Sequence, residues 1–422
     1  MKKKLKGNPW LVPTMSWILA GMMLLSLLLP DQSFSQTENR PLARSADFTW
    51  KSMETGKTGK DLNAWFSDQI PGRNLFFHAD YLIRKMSGQK EIKGVYLGRD
   101  ALLSDPEKPA GDTVTENVNA INTFASQSGM TCYVLVVPGA ASIQSDRLPF
   151  EAPAEDVNPV LDIIGSTLSP AVGVDVRQSL GEHASEYIFY KTDHHWTSLG
   201  AGYAAKTLLA AMGIDLSLDD FDRMPVSHSF EGTLASKTGS LFLDDEIELA
   251  VAKNNPNYIV TWADGSKTSS IYHKDALKTK DQYQVFLSSN QSVVRIETDA
   301  DTDRTLLLFK DSYANSVIQY LLPCFSSITV VDPRYYYENL DMTLGSDLFT
   351  DCVFLYSYDT FVTGSSLHDV LDGWNTEHAP EQAQPEAEAE TQPAEETQPE
   401  TEAQTDPQTE DQPAQDQENP EA

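Results

Sequence analysis

The chain has 422 residues, of which 40% are hydrophobic, and a formal net charge of -31. That length and apolar content suffice for one large or two modest globular domains. A surface of this sign excludes nucleic acid as a partner, because contact with phosphates requires positive potential.

Lys2, Lys3, Lys4 and Lys6 precede an apolar run from Met15 to Leu29 that is broken only by Ser16, Gly21 and Ser26. A basic flank followed by an apolar stretch is an export signal, and it leaves the rest of the chain outside the cytoplasm. The run is short beside the roughly 20 residues of a spanning helix. Ser33-Phe34-Ser35 places small residues before Gln36, where a signal peptidase would cut. Residues 1–35 are therefore read as a signal peptide or an N-terminal membrane anchor, and residues 36–59 as a polar linker.

Leu62, Trp65, Phe66, Leu75, Phe76, Leu82 and Ile83 recur at helical spacing from Lys60 to Met86, and Pro71-Gly72 divides them into two helices. Lys93 to Leu103 reads as a hairpin about Gly98 to Asp100. From Asp112 onward, helical and strand-like runs alternate, which predicts an α/β domain with a largely parallel sheet over 60–375. Strands are expected at Cys132 to Val137, Val172 to Val176, Arg304 to Phe309, Ser327 to Asp332 and Cys352 to Tyr356. Helices are expected at Thr113 to Ser128, Val157 to Leu168, Leu199 to Met212, Tyr313 to Leu322 and Phe361 to Leu371. Residues 221–299 break this rhythm with alternating polar runs, which predicts a β-rich insertion of antiparallel strands.

Residues 376–422 consist almost entirely of Pro, Glu, Gln, Ala, Thr and Asp, and no Lys or Arg follows Arg334. A segment so poor in large apolar side chains cannot offset its chain entropy, so a disordered acidic tail is expected. Cys132, Cys324 and Cys352 sit in or beside apolar runs without a Cys-x-x-Cys pair, which predicts buried small hydrophobes rather than a disulfide framework or zinc site.

Chemistry concentrates in Tyr190-Lys191-Thr192-Asp193-His194-His195-Trp196-Thr197. On an extended segment, side chains two apart share a side, so Asp193 can orient His195 while His194 points away. Thr197 then caps a helix whose apolar face holds Ala204, Ala205, Leu208 and Leu209. Far downstream, Leu306 to Phe309 runs into Lys310-Asp311-Ser312-Tyr313-Ala314-Asn315, a strand-to-helix turn at the sheet edge where ligands bind. A serine there can be a nucleophile or merely an N-cap. As a nucleophile it needs a base, and an imidazole held by a carboxylate is the usual solution. Asp193, His194 and His195 are also competent metal ligands, but adjacent residues seldom converge on one ion and no partner segment is rich in His. No metal and no cofactor are called for.

Asp193-His194-His195-Trp196, with Ser312 in its turn, resembles the signature of the bacterial DHHW proteins. These are similar to the SGNH-hydrolase-like domains of the alginate O-acetylation proteins, which carry an Asp-x-His-Trp-Thr segment followed by a later Ser. Pro71-Gly72-Arg73, Gly94 to Asp100, Val137-Pro138, Gly200 and Ala204 agree in order, so the resemblance runs from about Asp61 to Tyr358. It implies a flavodoxin-like, three-layer SGNH-hydrolase sandwich and a Ser-His-Asp triad of Ser312, His195 and Asp193. It also implies acyl-ester chemistry on an extracytoplasmic polysaccharide, with a membrane-bound O-acyltransferase as acetyl donor. One departure is that no Gly or Asn is matched to the SGNH oxyanion hole. Lys310, Tyr313 and Asn315 are candidate substrate-binding residues beside the nucleophile.

Two functions follow. One is an exported serine acyltransferase or esterase acting on O-acyl groups of a cell-envelope or extracellular polysaccharide. The alternative is a non-catalytic glycan- or wall-binding protein that keeps the fold.

Overall fold

Runs dense in Val, Leu, Ile and Phe, with charge only at their ends, form the strands at the centre of the molecule. The computed structural model describes residues 10–241, 243–345 and 348–379. The expected acidic tail lies outside the described residues from Pro380 on. In chain order the strands are β1 (Thr131–Val137), β2 (Val172–Gly173), β3 (Phe221–Phe230), β4 (Asp245–Ala252) and β5 (Tyr258–Thr261). They continue with β6 (Lys267–Thr268), β7 (Val293–Thr298), β8 (Thr305–Lys310), β9 (Ser327–Val331) and β10 (Asp351–Ser357).

Eight of these form one mixed sheet in the order β6-β5-β7-β9-β8-β10-β1-β2. The five from β9 to β2 pair parallel, whereas β7, β5 and β6 extend the sheet antiparallel beyond β9. Parallel strands are covered on both faces, which is why they read as continuous apolar runs. Tyr133, Leu135 and Val137 of β1 face one side, with Ala201, Ala204 and Leu208 of the helix Ser198–Ala211 in the same cluster. Cys132, Val134 and Val136 face the other, with Val118, Ile121 and Phe124 of the helix Thr113–Ser128. Cys132 and Cys352 are buried free thiols opposite each other on β1 and β10. Gly200 permits the close approach of its helix, since a Cβ there would lie 2.3 Å from the Ile188 carbonyl oxygen.

Several expectations change in detail. The segment 221–299 splits, with β3 and β4 pairing as a separate hairpin and β5, β6 and β7 joining the main sheet. The expected helix over 313–322 is a 3-10 turn, Ser312–Ser316, followed by the short helix Ile318–Leu321. Side chains divert its carbonyls: Tyr283 Oη donates to the Ser312 carbonyl at 3.1 Å, and Trp196 Nε1 to that of Tyr313 at 3.0 Å. A carbonyl spent in this way weakens the i to i+4 ladder, and i+3 bonds remain, as from Val317 N to Ala314 O. The helix expected over 361–371 is two, Tyr358–Thr363 and Ser366–Glu377, with Gly364-Ser365 between them.

Phe34–Ser35, at the end of the segment expected as a signal peptide or anchor, pairs with Arg40–Pro41 in the expected linker. Arg40 binds Asp68 bidentately at 2.5 and 3.0 Å, tying this hairpin to the helix Lys57–Gln69. Gly72, at φ +77°, turns that helix into Arg73–Met86. The apolar helix Leu11–Leu28 is largely exposed. Among the described residues, no helix is long and apolar enough to cross a membrane.

Candidate active site

The segment 190–197 is a tight loop rather than an extended strand. An antiparallel bridge joins Phe189 to Trp196, and Thr197 N donates to Ile188 O at 2.9 Å. The reason lies fifty residues downstream in Asp245. Its buried carboxylate accepts from Lys191 N and Thr192 N, both at 2.7 Å, and from Thr192 Oγ1 and Tyr187 Oη, both at 2.5 Å. Backbone donors that a strand would give to a neighbour are taken by this one side chain. Burial raises the Asp245 pKa against the pull of those donors.

Within the loop, His195 N donates to Asp193 Oδ1 at 3.0 Å, so the acid makes its own turn. The same oxygen lies 2.6 Å from His195 Nδ1, and His195 Nε2 lies 2.8 Å from Ser312 Oγ. Three side chains far apart in sequence thus form one continuous chain of hydrogen bonds. Asp193 Oδ2 is satisfied by Thr233 N at 2.7 Å and Thr233 Oγ1 at 2.9 Å. Gly232 lies so close to this carboxylate that a Cβ would fall 2.3 Å from Asp193 Cβ.

The electrostatics suit a base. Burial, and then the adjacent His194 imidazole, press the His195 pKa down to about 4 against the pull of Asp193. At neutral pH the imidazole is therefore uncharged, with a proton on Nδ1 for Asp193 and a lone pair on Nε2 for the serine hydroxyl. Burial alone would raise the Asp193 pKa, but the two imidazoles and the hydrogen-bond donors outweigh it and keep the carboxylate ionised. Tyr283 lies flat against His195, with centroids 3.8 Å apart and planes 11° apart, and its hydroxyl reaches the carbonyl of Ser312.

Ser312 opens its turn at the carboxyl end of β8. Asp311 accepts from Tyr313 N and Ser357 N, both at 2.9 Å, and from Ser357 Oγ at 2.6 Å, which pins the turn to the end of β10. A reciprocal latch joins turn and loop: Trp196 Nε1 donates to Tyr313 O, and Tyr313 Oη donates to His194 O at 2.5 Å.

The remaining predicted residues are buried around this centre. Lys310 is ion-paired with Asp332 at 3.1 Å, and Asn315 Oδ1 has no hydrogen-bond partner among the described residues. His194 does not point away. Its ring lies 3.9 Å from that of His195, because the loop is a turn and not a pleat.

Asp193, His194 and His195 do bring one ligand atom each within 4.8 Å of one another. Both nitrogens of His195 and both oxygens of Asp193 are already engaged, however, so an ion would have to displace the relay.

Sequence reading missed Thr233, Gly232, Asp245, Asp311 and Tyr283. A weak signal existed for one pair, since Gly232-Thr233 resembles the start of a helix, here Thr233–Thr238.

The same arrangement of segments recurs in known proteins. A DHHW family protein from Eubacterium siraeum superposes with a TM-score of 0.56 at 23% identity, covering 65% of this chain and 96% of that one. Bacillus cereus PatB1 gives 0.56 at 18% identity, covering 65% and 98%. The probable alginate O-acetylase AlgJ of Pseudomonas putida is 27% identical over 199 residues, which are 43% of this chain and 47% of AlgJ. The chain thus spans about half the length of that curated relative. The DHHW protein family model matches residues 111–331, more than half of the sequence and the whole stretch from Asp193 to Ser312, and the chain belongs to the DHHW family.

Proposed function

We propose that this chain is an extracytoplasmic serine O-acyltransferase or esterase of SGNH-hydrolase type, acting on O-acetyl groups of a cell-envelope or extracellular polysaccharide. The observation that carries the reading is the 2.8 Å contact between His195 Nε2 and Ser312 Oγ, inside a relay whose far end is an ionised Asp193. A glycan-binding protein that merely kept the fold would need neither the contact nor a buried base held neutral.

Ser312 Oγ attacks the ester carbonyl as its proton passes to His195 Nε2, and Asp193 Oδ1 stabilises the imidazolium. The tetrahedral intermediate collapses by expelling the alcohol, which takes the proton back from His195. The acyl-serine is then attacked by water or a sugar hydroxyl, whose proton again goes to His195, and Ser312 leaves with that proton restored.

The similarity to the probable alginate O-acetylase supports acetyl as the acyl group and a polysaccharide as its acceptor. A membrane-bound O-acyltransferase is the proposed acetyl donor. Delivery outside the cytoplasm follows from the basic and then apolar N-terminal segment. Incubation with 4-nitrophenyl acetate tests the proposal: the wild type should release nitrophenol with an acyl-enzyme burst, and Ser312→Ala should not. Equal rates in the two proteins would sink it.

A further inference from the structure

Of the two histidines in the motif, His194 is the one that the Ser312 relay does not use, and it is also the one that meets solvent. Its side chain is 39% exposed, against 7% for His195 and 2% for Asp193. Its Nδ1 lies 2.8 Å from Thr233 Oγ1. The Thr233 hydroxyl has a single proton, and that proton is directed at Asp193 Oδ2, an ionised carboxylate that can only accept. Thr233 Oγ1 must therefore accept from His194, which places the His194 proton on Nδ1.

The consequence is at the other nitrogen. In the uncharged ring, Nε2 retains a lone pair, and among the described residues it makes no hydrogen bond or ion pair with the protein. The ring is held in place by its Nδ1 contact to Thr233 Oγ1 and by its packing against His195, and Tyr313 Oη fixes the backbone from which it projects. The mouth of the site therefore presents a fixed hydrogen-bond acceptor one ring away from the base that activates Ser312.

We infer that His194 Nε2 is the acyl-acceptor subsite, which takes a hydroxyl of a carbohydrate whose neighbouring hydroxyl is the one acylated. This rests on the acyl-serine chemistry proposed above and gives the second imidazole of the motif a role. The two rings are neighbours, with centroids 3.9 Å apart and planes tilted by 38°, so a sugar whose attacking hydroxyl reaches His195 brings an adjacent hydroxyl to His194. His195 takes the proton of the hydroxyl that attacks the acyl carbon, while His194 receives the hydrogen bond of its neighbour and keeps no proton from it. Water has no second hydroxyl to place, so the subsite favours transfer over hydrolysis.

The partition of the acyl-enzyme reads this directly, because the ratio of transfer to hydrolysis is independent of how fast the acyl-enzyme forms. With 4-nitrophenyl acetate as donor and cellopentaose as acceptor, His194→Ala should lower the ratio of acetylated oligosaccharide to acetate by roughly five- to tenfold, the worth of one hydrogen bond. His194→Gln, which carries an amide to a similar place, should recover part of it. An unchanged ratio in His194→Ala overturns the inference. So does a wild type that shows a burst but transfers nothing to cellopentaose, an outcome that leaves the Ser312 chemistry standing. Absence of any burst in the wild type instead overturns the acyl-serine reading itself.

Discussion

The parallel half of the sheet and the loop layer above its carboxyl end are stabilised by opposite means. In β8 and β10, Leu306 to Phe309 and Cys352 to Leu355 are fully buried apolar side chains, held by removal of their surface from water. Above them, Asp193, Asp245 and Asp311 are equally buried, yet each is held by three or more donors, at least two of them from another segment. Loss of a core methyl costs area in proportion, whereas loss of one polar partner leaves a buried group unsatisfied. The core should thus tolerate change gradually and the site should not, and the site alone should respond to pH.

Asp193→Asn should show the contrast at its greatest. The amide cannot accept from all the donors that now converge on the carboxylate, and kcat/KM for the activated ester should fall by about 10³- to 10⁴-fold. Steady-state kinetics check this, and retention of most activity would remove Asp193 from the relay. Gly232→Ala comes next, because its methyl would displace the Asp193 carboxylate; a shift of about 1 Å predicts roughly a hundredfold loss. The far-ultraviolet circular dichroism should stay that of the wild type.

Leu308→Ala sharpens the other side of the comparison. It should cost about 2–5 kcal/mol in chemical denaturation, with kcat per folded molecule nearly unchanged. A large loss of kcat in folded protein would show that core and site are not separable.

The pH dependence has a definite sign. His195 has a folded pKa of about 4, below its ordinary 6.5, so unfolding takes up protons between those values. Its contribution to stability is complete above about 6.5 and is lost as pH falls toward 4, and kcat/KM should rise with pH through an apparent value near 4. An acid limb centred at 6.5 would show the base to be solvated rather than buried. Trp196→Phe should have the smallest effect, removing the Nε1 bond to Tyr313 O at a cost of about 1 kcal/mol in thermal unfolding.

Much of this layout is legible from residue order. The strands are readable because a parallel strand buries both faces, so Cys132 to Val137 and Cys352 to Tyr356 appear as unbroken apolar runs. The helix Thr113–Ser128 falls where its periodicity puts it. Asp193, His195 and Ser312 stood out because acid, imidazole and a serine in a strand-to-helix turn are chemically conspicuous. Asp245, Gly232 and Tyr283 did not, because an acid opening a strand, a glycine before a threonine and a tyrosine in a polar stretch have commonplace local explanations.

Sequence by itself determined which segments are core, where the chemistry is concentrated and to which family the motif points, since these depend on local composition and order. Only the tertiary structure decided that the motif closes as a turn, that His194 lies beside His195 and partly in solvent, and that its Nδ1 meets Thr233. Those features depend on hydrogen bonds between residues dozens of positions apart, and single donors and acceptors leave no periodic trace in the chain.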